Sequence, residues 1–443
     1  MAALWLAACA PMHRPDLAAL YGESAANAVQ PPVVIIPGLM GTRLVDDQGR
    51  EVWPGPAWRV LTSGYPELAL AVDGADQHRP QLLPGTVTDS VAGRDYYRSI
   101  METLERFGGY RRAHLGTPPP AGQRSYYVFT YDWRQDLQET AAELNGFLAR
   151  IRRDHDAPML RMDVVAHSMG GLVTRYFVRY GDADVINSND LQPTMAGAGY
   201  VRRVILLGTP NLGSIEAVEA LVLGRRLGLR TIRPEVLATM PSMLQLLPHA
   251  LYEWLLAEDG TPVRLDQFDL STWRDLRWGI FDPKVRQRIR AGLPPGSDAD
   301  AYLTALEWRF AVQLERARRF VWSLTVPAEP AVPLIVFGGD CTFTPARLVI
   351  DRRSQPPALY TRPEKIGNPV PGVNYRRLML EPGDGSVSKA SLLARQHIDP
   401  TVPRHRYTYF PLHYSFLLCA PHDRLPGNIS FQDNLLDALL SAL

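Results

Sequence analysis

Val164-Val165-Ala166-His167-Ser168-Met169-Gly170-Gly171-Leu172 decides how the rest of this chain is read. An apolar run stops abruptly at a serine flanked by small residues, then passes into helix-forming sequence. A sharp strand-to-helix turn of this kind lifts the serine hydroxyl clear of a sheet. Its backbone is strained, and a bulky side chain two positions to either side would collide. Ala166 and Gly170 occupy those crowded positions, with Ala166 standing where glycine is commoner. The same residues also suit a plain buried strand followed by a glycine-rich helix start, so the reading depends on partners elsewhere in the chain.

A nucleophile needs an oxyanion hole and a base. Upstream, Pro32-Val33-Val34-Ile35-Ile36-Pro37-Gly38-Leu39-Met40-Gly41 is a β-branched run suited to a fully buried parallel strand, ending in a Pro-Gly turn. The expected oxyanion donors are the amides of Met40 and of Met169, the residue after the serine. Downstream, an acid and then a histidine should follow. Asp384 lies between two glycines in Gly383-Asp384-Gly385-Ser386-Val387-Ser388, as an acid on a tight loop would. Its rival is Asp340, at the end of the strand-like Leu334-Ile335-Val336-Phe337-Gly338-Gly339. For the base, His422 precedes a loop and a final helix, Phe431 to Leu440, whereas His413 sits inside the aromatic run Tyr407 to Phe416 and reads as a strand residue. The expected set is Ser168, Asp384 and His422.

These segments resemble the lecithin:cholesterol acyltransferase family, which also holds lysosomal phospholipase and plant phospholipid:diacylglycerol acyltransferase. Pro37-Gly38-Leu39-Met40-Gly41-Thr42-Arg43-Leu44 is similar to the family's oxyanion loop, and Tyr131-Asp132-Trp133-Arg134 to its YDWR segment. Leu207-Gly208-Thr209-Pro210 resembles its post-elbow strand end, Gly383-Asp384-Gly385 its acid loop and His422 its base. The likeness runs from about Val33 to the C-terminus and implies an α/β-hydrolase fold acting on lipid esters. One departure is the stretch Glu51 to Pro84, where the animal enzymes close a flap with a disulfide; no cysteine occurs here. Any lid there would use Trp53 and Trp58 as apolar contacts. Asp132 and Arg134 read as structural, an arginine fork pinning a loop beside the site.

The fold class expected is α/β, an α/β-hydrolase fold: a mostly parallel sheet with helices on both faces and an inserted helical cap. Val33–Ile36, Tyr126–Tyr131, Met162–Ala166, Val201–Leu207 and Leu334–Phe337 read as strands; Leu137–Arg153 and Gly171–Arg179 read as helices. The divisions are an N-terminal segment and linker (1–29), a first core part (30–214, with a lid-like excursion at 45–95), a helical cap (215–330) and a second core part (331–443). The cap's Met, Leu and Trp residues serve packing, and over a serine nucleophile they also suit an acyl-chain tunnel. In 443 residues hydrophobic side chains make up 46%, charged ones 21%, and the net charge is +1. That balance implies no bulk attraction to nucleic acid or to an anionic membrane. No cofactor motif and no Cys/His cluster with metal-ligand spacing is evident.

Leu6-Ala7-Ala8-Cys9 has the small-residue pattern that precedes the lipid-modified cysteine of bacterial lipoproteins, although Met1 to Trp5 lacks a positive n-region. The expectation is a cell-envelope protein, anchored through Cys9 or periplasmic. Cys341 and Cys419 then remain in a disulfide-permissive compartment and are expected to bond, which a Cα separation above roughly 7 Å would exclude. The chemistry expected is acyl transfer from a (phospho)lipid ester through a covalent ester on Ser168, with association at a membrane surface. Two other readings stay open: a neutral lipase or carboxylesterase using water alone, and a catalytically silent lipid-binding lipoprotein.

Overall fold

The computed structural model describes residues 14–22, 30–72, 81–91, 94–188, 190–394 and 414–441. Cys9 and His413 lie outside these residues.

Seven strands form the central sheet: β1 (Val33–Ile36), β2 (Arg111–Arg112), β3 (Ser125–Val128), β4 (Met162–His167), β5 (Val201–Leu207), β6 (Leu334–Gly339) and β7 (Tyr414–Leu418). Their spatial order is β7-β6-β5-β4-β1-β3-β2, and every neighbouring pair is parallel. The central strands are apolar on both faces because both are covered. Val34 and Ile36 pack with Leu144, Leu148 and Leu172, whereas Val33 and Ile35 pack with Ile100, Leu104, Phe431 and Leu435. That alternation is the pleat read out as two hydrophobic layers.

The helices follow their sequence signals. α1 (Leu137–Asp154) is capped by the Asp136 side chain, which accepts from Gln138 N, and it buries Leu137, Ala141, Leu144, Leu148 and Ile151. α2 (Met169–Tyr180) begins immediately after Ser168. The final helix, Ile429–Leu440, is capped by Asn428. The strand expected over Tyr126–Tyr131 stops at Val128. Beyond it Tyr131 leaves the ladder, its N–H donating to Thr42 Oγ1 and its hydroxyl to Pro37 O.

Between β5 and β6 the chain builds short helices and α3 (Ala299–Ser323). α2 docks this region from below: Arg175 Nη2 donates to Leu324 O at 2.6 Å and Arg179 Nε to Ser323 O at 3.0 Å, at the C-terminal end of α3. Cations there meet the negative end of the helix dipole and satisfy carbonyls the helix leaves open. Burial pushes the Arg175 guanidinium down to about 9, with Arg179 adding to the effect. A strand inside the insertion, Leu255–Ala257, pairs in parallel with Leu348–Asp351, which follows β6. The insertion and the segment after β6 thus share one small sheet. After β1 the chain makes a three-stranded antiparallel excursion (Thr42–Val45, Glu51–Trp53, Leu83–Val87) that returns before the helix Arg98–Arg106. Among the described residues no helix is long and apolar enough to cross a membrane.

Candidate active site

In a parallel α/β sheet, groups that act on a ligand gather at the carboxyl ends of the strands. Ser168 sits at the end of β4 with φ 53° and ψ −125°, a conformation a non-glycine residue adopts only when its surroundings impose it. The imposing contacts are specific. A Cβ on Gly170 would lie 2.5 Å from Pro37 O, and one on Gly171 would lie 2.0 Å from Thr209 Oγ1. Gly171 is thus as constrained as Gly170, a requirement visible only once β5 is in place.

The Ser168 hydroxyl donates to His422 Nε2 at 3.0 Å, and His422 Nδ1–H donates to Asp384 Oδ2 at 2.7 Å. Asp384 is buried, and its other oxygen accepts from the amides of Ser386 (2.9 Å) and Val387 (2.7 Å). His422 N–H donates to Asp384 O at 2.9 Å, which ties the base segment to the acid loop. Burial works to raise the Asp384 carboxyl, but the His422 imidazole and the two amides hold it below the ordinary carboxylate range. Burial opposes the charged form of His422, yet the Asp384 carboxylate and, further out, Glu216 leave it raised; Arg225 works against them. Glu216 accepts from Ser386 Oγ at 3.2 Å and lies 3.8 Å from Arg225 Nη1.

Sequence distance hides why Asp384 reaches the end of β6. Thr342–Pro345 leaves that strand end and pairs antiparallel with Leu380–Gly383, so the chain returns to its starting point. A Cβ on Gly339 would sit 2.7 Å from Asp384 Cβ, and one on Gly208, at φ +61°, would sit 3.0 Å from His422 Cε1. The rival Asp340 is turned to Lys389 Nζ, 3.3 Å away. Cys341 and Cys419 are bonded, with Cα atoms 5.0 Å apart, joining the end of β6 to the end of β7 three residues before His422. Arg134 forks onto Asp132 through Nε (2.9 Å) and Nη2 (2.7 Å), while its Nη1 donates to Leu68 O in the excursion. Trp53 is buried and its indole donates to Met40 O at 3.0 Å, whereas Trp58 is 65% exposed.

The turn after β1 lies against the nucleophile, since a Cβ on Gly38 would be 2.7 Å from Ser168 Cβ. Gly38 N–H donates to Tyr97 Oη and Gly41 N–H to Gly38 O. Among the described residues, the amides of Leu39 and Met40 in this turn have no partner, and neither does Met169 N, the first helical amide. The Leu39 amide is thus as unpartnered as that of Met40, the one expected from the sequence. Tyr97 was missed, because no local pattern marks a residue that meets its partners 59 and 70 positions away. Among the described residues no cluster of His, Cys, Asp and Glu could hold a metal ion.

The family model described as lecithin:cholesterol acyltransferase matches residues 88–263. No curated protein matches the chain. Among solved structures, that of the Tle4–Tli4 complex is similar at TM-score 0.58 and 15% identity, covering 94% of this chain and 98% of that one. The mature Bacillus licheniformis lipase BlEst2 aligns at TM-score 0.34 and 13% identity, over 94% of both chains. Lipase 1 from Pelosinus fermentans gives 0.38 and 13%, over 94% of this chain and all of that one (100%). The first of these likenesses agrees with the parallel sheet described above. Residues 88–263 are thus similar to the lecithin:cholesterol acyltransferase family, on a fold of the α/β-hydrolase kind, which supports a lipid-ester hydrolase or acyltransferase.

Proposed function

We propose that the protein is a serine-dependent acyl hydrolase or acyltransferase of (phospho)lipid esters that works through an acyl-enzyme on Ser168. The observation that carries this reading is the unbroken line of hydrogen bonds from Ser168 Oγ through His422 to Asp384. His422 Nε2 takes the hydroxyl proton as Oγ attacks the ester carbonyl. The negative charge moves to the carbonyl oxygen, where Met169 N–H and the turn amides of Met40 or Leu39 stabilise it. Asp384 orients the ring and stabilises the imidazolium without taking its proton. Collapse expels the alcohol, which receives that proton, and leaves the acyl group on Ser168. Water or a second alcohol then attacks the ester with His422 again as base, regenerating the serine.

A membrane surface suits this substrate. Trp58 (65%), Leu61 (48%) and Leu229 (76%) are exposed, Leu229 N–H donates to Leu61 O, and the flanking Arg226 and Arg230 are exposed as well. Apolar side chains ringed by arginines fit a bilayer with anionic headgroups. The cysteine pair agrees with the oxidising cell-envelope location proposed through Cys9.

The test combines a fluorophosphonate probe, mapped by mass spectrometry, with doubly radiolabelled phospholipid, with and without a long-chain alcohol or sterol. Probe on Ser168 with label in a new ester is the expected transferase outcome. Probe on Ser168 with only free fatty acid makes the protein a hydrolase. An unlabelled Ser168 would overturn the mechanism and favour a lipid-binding role.

A further inference from the structure

Main-chain polar groups that are buried must find partners, so the partners of a turn can be counted. For the turn after β1 the count has a consistent character. Pro37 O accepts from Tyr131 Oη at 2.7 Å, Gly38 N–H donates to Tyr97 Oη at 2.8 Å, Met40 O accepts from Trp53 Nε1 at 3.0 Å and Thr42 O accepts from Trp133 Nε1 at 3.0 Å. All four side chains are buried: Trp53 is 4% exposed, Tyr97 3%, and Tyr131 and Trp133 0%. They come from separate places: the excursion after β1, the residue capping the helix Arg98–Arg106, and the chain leaving β3. Trp53 also packs edge-on against Trp133, with ring centroids 5.7 Å apart.

Tyr97 does more than hold the turn. Its single proton goes to His167 Nδ1, 2.8 Å away, because the oxygen already accepts from Gly38. His167 directly precedes the nucleophile, and its ring lies 4.9 Å from that of His422. Burial, with His422 beside it, lowers the His167 imidazole to about 3, so the ring is neutral and one of its nitrogens can accept. One hydroxyl therefore bridges the turn and the elbow. With Gly38 and Gly41 N–H engaged, the two amides of the turn left over are those of Leu39 and Met40.

We propose that Trp53, Tyr97, Tyr131 and Trp133 form an aromatic clamp that preorganises the oxyanion turn, with Tyr97 locking that turn to the nucleophile elbow. All four are positioning residues, and the proposal rests on the acyl-enzyme reading above. Rigid heads on buried rings suit the task. Each ring is fixed by packing, so the turn does not have to reorganise when charge develops on the carbonyl oxygen. Misplacement of such a donor by about 1 Å can cost on the order of 100-fold in rate.

The experiment compares wild type, Tyr97→Phe and Trp53→Phe on p-nitrophenyl butyrate, with rates expressed per Ser168 titrated by fluorophosphonate. Both variants are expected to lose about 10- to 100-fold in kcat, with KM within about twofold. Inhibition by butylboronic acid, which forms a tetrahedral adduct on the serine, should weaken by a matching factor. A merely structural role would instead reduce the titratable fraction and the melting temperature while kcat per titrated site stayed at the wild-type value, and that result would overturn the clamp. Should Tyr97→Phe fail to fold, Trp53→Phe decides by the same criteria. A wild type that takes no probe at Ser168 would bring down the acyl-enzyme reading and the clamp together. Normal wild-type labelling with unchanged variants would bring down the clamp alone.

Discussion

His422 can accept a proton only when neutral, so kcat/KM should rise with pH as the residue deprotonates in the free enzyme. Asp384 and Glu216 raise its affinity for the proton, which places that limb above the ordinary histidine value of 6.5. Glu216→Gln removes one raising charge and is expected to move the limb to lower pH, whereas Arg225→Gln should move it to higher pH; a pH–rate profile of each variant reads the sign. Asp384→Asn should cost about 10⁴-fold in kcat, since an amide cannot hold the same tautomer and charge. Gly208→Ala should nearly abolish turnover, because its Cβ would meet the His422 ring and its φ is +61°; steady-state kinetics beside a melting curve separates this from unfolding. Ser168, Asp384 and His422 were legible together because chain order and the small residues beside each narrow the choice. Tyr97 and Gly171 were not, because their roles exist only across tertiary contacts, to Gly38 and His167 in one case and Thr209 in the other.

At the scale of elements, strands were easiest to read where both faces are buried. β1 and β5 stand as their apolar runs suggest, while β3 ends three residues early because Tyr131 is drawn to Pro37 and Thr42. The ribbon that returns Asp384 to the end of β6 had no alternating signal strong enough to announce it, so Asp340, at the strand end, stayed a rival to the favoured Asp384. Its ion pair with Lys389 accounts for that carboxylate instead. The junction of α2 with α3 was also silent in the sequence, since Arg175 and Arg179 look like surface residues until the end of α3 covers them. Arg179→Met would leave Val326 O without that donor and Ser323 O with only Tyr180. A loss of about 1–3 kcal/mol in urea unfolding is expected, with kcat on short esters little changed.

For the whole molecule, one sheet edge collects the turn after β1, the elbow after β4, the acid ribbon after β6 and the base after β7. The two last strands are joined by their ladder and by the stacked rings of Phe337 and Phe416. The Cys341–Cys419 bond closes a loop spanning 78 residues of sequence between them. In the chain-entropy picture such a closure is worth about 4 to 5 kcal/mol, so Cys341→Ser/Cys419→Ser should lower the denaturation midpoint clearly, as followed by circular dichroism. The same bond makes part of the protein a covalent ring that carries Asp384, with His422 just outside it. A single protease cut within the ring would open it without releasing a fragment. A non-reducing gel would still show one full-length band, a reducing gel two, and the serine would remain joined to both of its partners through unbroken covalent paths.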